Sequence, residues 1–203
     1  MEAPAAPRNP ADLSGPSEPP QAGAMTETGA MAQAGAMAEI TVDSPEQMKE
    51  LGRRLAKMLR AGDLVMLTGE LGAGKTTMTR GLGEGLGVRG AVTSPTFVIA
   101  RVHPSLGDGP PLVHVDAYRL GGGLDEMEDL DLDVSLSDSV IVVEWGEGKV
   151  EELTDDRLHL LIHRAAGDTT DVGDTTDEVR HVTLRGVGER WGARAAELGG
   201  LFA

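Results

Sequence analysis

The chain has 203 residues, 40% of them hydrophobic and 2% aromatic, with a formal net charge of −15 and no cysteine. One domain with appendages fits this length, and the missing thiols exclude disulfides, thiolate catalysis, Fe–S clusters and cysteine-based zinc sites. The acidic balance argues against a surface that coats nucleic acid directly, no apolar run reaches the ~18–20 residues of a membrane helix, and the N-terminus lacks the basic flank and apolar core of a secretory signal, so a cytoplasmic protein is expected.

Residues 1–38 are rich in Ala, Pro and Gly and hold one Leu and no Val, Ile, Phe, Tyr or Trp. Such a segment cannot bury enough apolar surface to offset its ordering entropy, so a disordered low-complexity tail is expected. GAM recurs in it at Gly23, Gly29 and Gly35, a spacing that matches no heptad or solenoid. The folded domain is expected over 39–203.

AEITV at 38–42 reads as a short strand. Ser44-Pro45-Glu46-Gln47 is a capping-box start with proline at the first helical position. Met48, Leu51, Leu55 and Met58 follow at helical spacing, and Gly62 is the expected stop. DLVMLTG at 63–69 is a glycine-bounded strand. A second helix is expected from Lys75, with Met78 and Leu82 inward and Gly81, Gly83 and Gly85 weakening its far end. Further strands are expected at 96–102, 112–116 and 140–144, the last apolar enough to be buried on both faces. Segments 157–165 and 179–187 alternate as an antiparallel pair around a polar loop, 167–179, in which GDTTD recurs. A last helix is expected over 189–198 with Trp191, Ala195 and Leu198 inward. The five histidines show no metal-ligand spacing and read as strand or surface residues. The order of elements predicts an α/β fold with a parallel central sheet and antiparallel edge strands.

Gly69-Glu70-Leu71-Gly72-Ala73-Gly74-Lys75-Thr76 fits G-x-x-x-x-G-K-[ST] at each fixed position. A polyphosphate needs several N–H donors converging on one anion. Glycines let the backbone wrap closely, and the helix N-terminus adds its amides and dipole. A strand before and a helix after are what the motif requires. In this reading Lys75, one of only four lysines, reaches the β- and γ-phosphates, and the Thr76 hydroxyl ligates Mg²⁺. The fold expected is therefore a three-layer, P-loop NTPase-like one.

Glu144 ends the apolar strand VIVVE. An acid at that tip lands beside the phosphate loop in a parallel sheet, so Glu144 is the candidate partner of Thr76 on the metal, against the plainer reading of a solvated strand end. Asp116 also stands at a strand tip. It either orients the attacking water or the groups around the metal, or it is a turn residue capping a helix. Thr93-Ser94-Pro95-Thr96 follows the second helix and is either a switch-like loop at the γ-phosphate or an ordinary proline loop. Residues 125–138 hold seven acids and no base, a solvated segment or an acidic docking face. A guanine-reading N-K-x-D motif is excluded, because the only asparagine is Asn9. A small-molecule kinase on the same loop, or a nucleotide-binding scaffold without turnover, remains an alternative.

GELGAGKTT at 69–77, SPTF at 94–97, HVDAYRL at 114–120, the acids that follow, and EWGE at 144–147 together resemble the TsaE (YjeE) family. The resemblance covers about residues 40–165. It implies a P-loop ATPase that binds ATP and Mg²⁺, turns over slowly alone, and acts with TsaD and TsaB in placing the threonylcarbamoyl group on the anticodon-adjacent adenosine of tRNA. Carried over by motif, Gly72, Ala73, Gly74, Lys75, Thr76 and Thr77 cradle ATP, and Thr76 and Glu144 hold Mg²⁺. Lys75, Asp116 and Thr96 are then the catalytic candidates, with Trp145 beside the metal acid. Gly146 departs from the proline common in the family at that point.

Overall fold

A computed structural model describes residues 37–120, 130–165 and 179–201. Apart from its last two residues, the tail expected over 1–38 lies outside the described residues. So do the first five of the acidic residues 125–138 and all but the last of the polar loop 167–179.

Strand β2 (Leu64–Thr68) is the centre of the sheet, since Leu64, Val65, Met66 and Leu67 are all buried. It pairs in parallel with β5 (Val140–Glu144) on one side and β6 (Arg157–Arg164) on the other, and β5 pairs in parallel with β4 (Leu112–Asp116). The outer pairings are antiparallel: β3 (Ala100–His103) on β4, β7 (Arg180–Val187) on β6, and β1 (Met37–Val42) on β7. The seven strands run in the order β1-β7-β6-β2-β5-β4-β3. The expected α/β class, with parallel centre and antiparallel edges, is what the chain forms. β4 and β5 are buried at every position, as continuous apolar runs should be when both faces are covered.

One face packs on α1 (Pro45–Ala56) and α2 (Lys75–Leu86), through Leu51, Leu55, Met78 and Leu82 against Val65, Leu67 and Val142. The opposite face presents Leu64, Met66, Val113, Val115, Ile141 and Val143 to Leu132 of the short helix α3 (Leu132–Leu136) and to Val150. Ser44 caps α1 by accepting the Gln47 amide at 3.2 Å, and Gln47 reaches back to the Asp43 amide at 2.9 Å. The reciprocal bond is thus made one residue before the cap.

Four expectations need correction. Helix α1 ends at Ala56 and not at Gly62, which sits in the turn before β2 with φ +91°. The strand expected at 96–102 begins only at Ala100, because the amides of Val98 and Ile99 both bond the Pro95 carbonyl, at 2.8 and 2.7 Å, closing a turn. The last helix is two short ones, α4 (Glu189–Gly192) and α5 (Ala195–Gly199), with Trp191 and Leu198 buried and Ala195 exposed. The glycines of α2 do not fray it. A Cβ on Gly85 would lie 2.8 Å from the Arg53 carbonyl oxygen, and one on Gly52 2.6 Å from that of Met78. These residues let two helix backbones touch.

Among the described residues, no helix is long and apolar enough to cross a membrane.

Candidate functional site

The loop between β2 and α2 turns through Gly72 and Gly74, at φ +78° and +112°, conformations in which a Cβ would be strained. Helix α2 then starts at Lys75. Its first-turn amides have no partner inside the helix, and they face the same opening as the loop. Gly72, Gly74, Lys75, Thr76 and Thr77 line an open cleft of about 210 Å³, together with Leu71, Ser94, Thr96, Asp116, Glu144 and Trp145. Ala73 is buried beneath the loop and lines a second cavity on its other side, with Ser44, Pro45, Met48, Thr77 and Arg180.

Register brings the acids in. Asp116 and Glu144 are direct neighbours at the ends of β4 and β5. Both strand tips point toward the start of α2. The Thr76 hydroxyl donates to Glu144, at 3.0 Å from Oε1 and 3.2 Å from Oε2, across 68 residues of sequence. The Thr96 hydroxyl donates to Asp116 Oδ2 at 2.5 Å, and the Ser94 hydroxyl reaches the same oxygen at 3.3 Å. Asp116 Oδ1 meanwhile accepts the Tyr118 amide at 3.1 Å and caps the 3-10 turn Ala117–Arg119. The two readings of Asp116 left open by the sequence are therefore compatible. One oxygen caps, and the other faces the cleft.

Lys75 donates to the Gly69 and Glu70 carbonyls at 2.7 and 2.9 Å, and its ammonium lies 3.8 Å from the centroid of the Trp145 ring. Burial pushes its pKa down, with Glu144 and then Asp116 opposing the shift. Trp145 is held at φ +61°, and its ring meets that of Tyr118 at 5.2 Å. After Trp145, a Cβ on Gly146 would come within 2.7 Å of Val143 Cγ1 and 3.1 Å of Val150 Cγ2. This loop is shaped around a missing side chain.

His114 lies in β4, as the strand reading expects, and makes a contact that reading did not foresee. The ring is fully buried, with Nε2 2.8 Å from Glu144 Oε1. The signal that could have found it is the period of two in Leu112-x-His114-x-Asp116, which puts it on the same face as the acid. In the second cavity Ser44, Pro45 and Met48 share the first turn of α1, whereas their meeting with Arg180 and the loop comes only through packing.

The sequence profile of "Threonylcarbamoyl adenosine biosynthesis protein TsaE" matches residues 42–172. The chain belongs to the TsaE family. It is 87% identical over 144 residues to a TsaE of Streptomyces coelicolor, a match that covers 71% of this chain and 93% of that protein. It is 39% identical over 157 residues to a TsaE of Bacillus subtilis, with 76% and 89% covered. The crystal structure of Bacillus subtilis YdiB superposes with a TM-score of 0.62 at 32% identity, covering 82% of this chain and 97% of that one. Within this TsaE chain, the loop, both acids and the Trp145 turn all lie inside the matched region.

Proposed function

We propose that this chain is a Mg²⁺-dependent ATPase acting in the cytoplasm, with TsaD and TsaB, in formation of threonylcarbamoyladenosine beside the tRNA anticodon. The names carried by its relatives support the pathway. A net charge of −15 fits a protein that leaves tRNA contact to its partners.

The contact of Thr76 with Glu144 carries the nucleotide reading. A hydroxyl and one carboxylate are hard oxygen donors that suit Mg²⁺, an ion that keeps several waters and takes further ligands from substrate phosphates. Thr76 and Glu144 would hold it, and when bound it neutralises charge building on the γ-phosphoryl oxygens. Gly72, Ala73, Gly74, Thr76 and Thr77 bind the polyphosphate through backbone amides. Lys75 exchanges its two carbonyl partners for phosphate oxygens. Asp116 holds the Thr96 hydroxyl at the γ-phosphate end of the cleft, where the two groups orient the attacking water. Thr77 borders both cavities, so the nucleoside extends from the loop toward Pro45, Met48 and Arg180.

ATP turnover is measured alone and with purified TsaD and TsaB, beside calorimetry with Mg²⁺ and adenine nucleotides. Slow turnover that rises with the partners is expected. Lys75→Ala should abolish binding or turnover. Glu144→Ala should keep some nucleotide affinity and lose Mg²⁺-dependent turnover by about 100-fold. Absence of saturable nucleotide heat, with and without the partners, would overturn the reading.

A further inference from the structure

We infer that His114 is the positioning residue of Glu144, donating from Nε2 and holding the carboxylate where Thr76 meets it. The inference rests on the nucleotide reading above and deepens it.

Leu112, His114 and Asp116 alternate onto one face of β4, beside Val140, Val142 and Glu144 of β5. Leu112, Val140 and Val142 belong to the core under α1 and α2. His114 is thus the point where that apolar core gives way to the two acids. An ionised carboxylate only accepts hydrogen bonds, so the 2.8 Å contact between Nε2 and Oε1 requires the proton on Nε2. Nδ1 is buried without a hydrogen-bond partner among the described residues.

The ring matters because it holds Glu144 from the core, independently of Thr76 on the phosphate loop. Thr76 donates to the carboxylate here. Its oxygen keeps two lone pairs for a cation while the O–H stays on the carboxylate, so this bond holds Glu144 from the loop side only. His114 is the side chain that fixes the carboxylate from behind, in the manner of groups that orient metal-bound carboxylates. It touches neither nucleotide nor reacting atoms in this scheme.

The test titrates Mn²⁺ into the full chain with a non-hydrolysable ATP analogue and follows free Mn²⁺ by electron paramagnetic resonance. His114→Leu should weaken Mn²⁺ binding by about 10-fold or more while leaving metal-free analogue affinity unchanged. His114→Gln, whose amide can donate, should recover much of it. Long-range ¹H–¹⁵N spectra of the wild-type protein should show His114 protonated at Nε2, a readout that needs no variant to fold. Unchanged Mn²⁺ affinity in His114→Leu, equal loss of metal and metal-free analogue binding, or an Nε2 without a proton would each overturn the inference alone. A wild-type protein that binds no nucleotide would overturn the functional reading and this inference together.

Discussion

The Lys75 ammonium rests 3.8 Å from the centroid of the Trp145 indole, and the Gly69 and Glu70 carbonyls hold it at 2.7 and 2.9 Å. The group expected to bind phosphate is occupied by contacts internal to the protein. Its position is shared by three elements: the phosphate loop, the start of α2 and the turn after β5.

Nucleotide binding should therefore be visible in Trp145. Drawing Lys75 toward phosphates removes a cation from the indole face, a contact worth about 0.5–2 kcal/mol. Indole emission is expected to change in step with ATP binding. Trp145→Phe should remove most of that change, and Lys75→Ala should remove it by preventing binding. An unchanged spectrum at saturation, with saturation established by calorimetry, would count against the exchange of partners.

Thr96 and Asp116 separate a stability role from a catalytic one. Asp116→Asn keeps an oxygen that can cap the 3-10 turn, while Thr96→Val removes only the hydroxyl bonded to Oδ2. Thr96→Val should change stability by no more than about 1 kcal/mol and lower kcat more than it raises KM. Asp116→Ala should lower kcat as well and cost a further ~1 kcal/mol of stability through the lost cap. Denaturant titration beside steady-state kinetics checks both. A Thr96→Val protein with normal kcat would remove that hydroxyl from the mechanism.

Two opposing effects meet at Gly52. Replacing a helical glycine by alanine gains about 1 kcal/mol in propensity. Here the new methyl would stand 2.6 Å from the Met78 carbonyl oxygen and 2.8 Å from the Leu82 amide nitrogen, backbone atoms that cannot rotate away. Overpacking of this kind costs about 1–3 kcal/mol, so Gly52→Ala is expected to destabilise. Urea denaturation decides the sign, and a gain in stability would show that α1 and α2 separate easily.

Stability should fall on mild acidification. Burial holds His159 below the ordinary imidazole value of 6.5, outweighing the opposing pull of Glu147, and burial lowers His103 likewise, helped by His114 and Arg101. Above pH 6.5 both rings are neutral, folded or unfolded, and the protein has its full stability. As pH falls below 6.5 the unfolded chain takes up protons first, so stability declines until the folded-state rings protonate too. His159 contacts the Thr68 hydroxyl at 2.8 Å, at the strand end that feeds the phosphate loop. His159→Gln should flatten the decline in urea midpoints below pH 6.5. An equal slope in that variant would assign the decline to other groups.

Local patterns are legible in the amino-acid sequence. The glycine spacing of 69–76, the Ser44 cap, the alternation of the β6–β7 pair and the apolar runs of β2, β4 and β5 each depend on residues a few positions apart. Such patterns act through backbone conformation and side-chain period, which a short window contains. Element boundaries depart from these patterns where tertiary packing or a turn overrides propensity, as at Pro95, where a turn replaces strand.

The amino-acid sequence by itself determined that a phosphate-type loop joins a buried strand to a helix, and that acids stand at the tips of two further strands. Only the tertiary structure decided that Thr76 meets Glu144, that Asp116 caps with one oxygen and faces the cleft with the other, and that His114 backs the carboxylate. The reason is register. Which residues of β4 and β5 lie opposite each other is set by packing of the whole sheet, and a slip of β4 by one position would turn Asp116 and His114 to the opposite face, away from Glu144 and the loop.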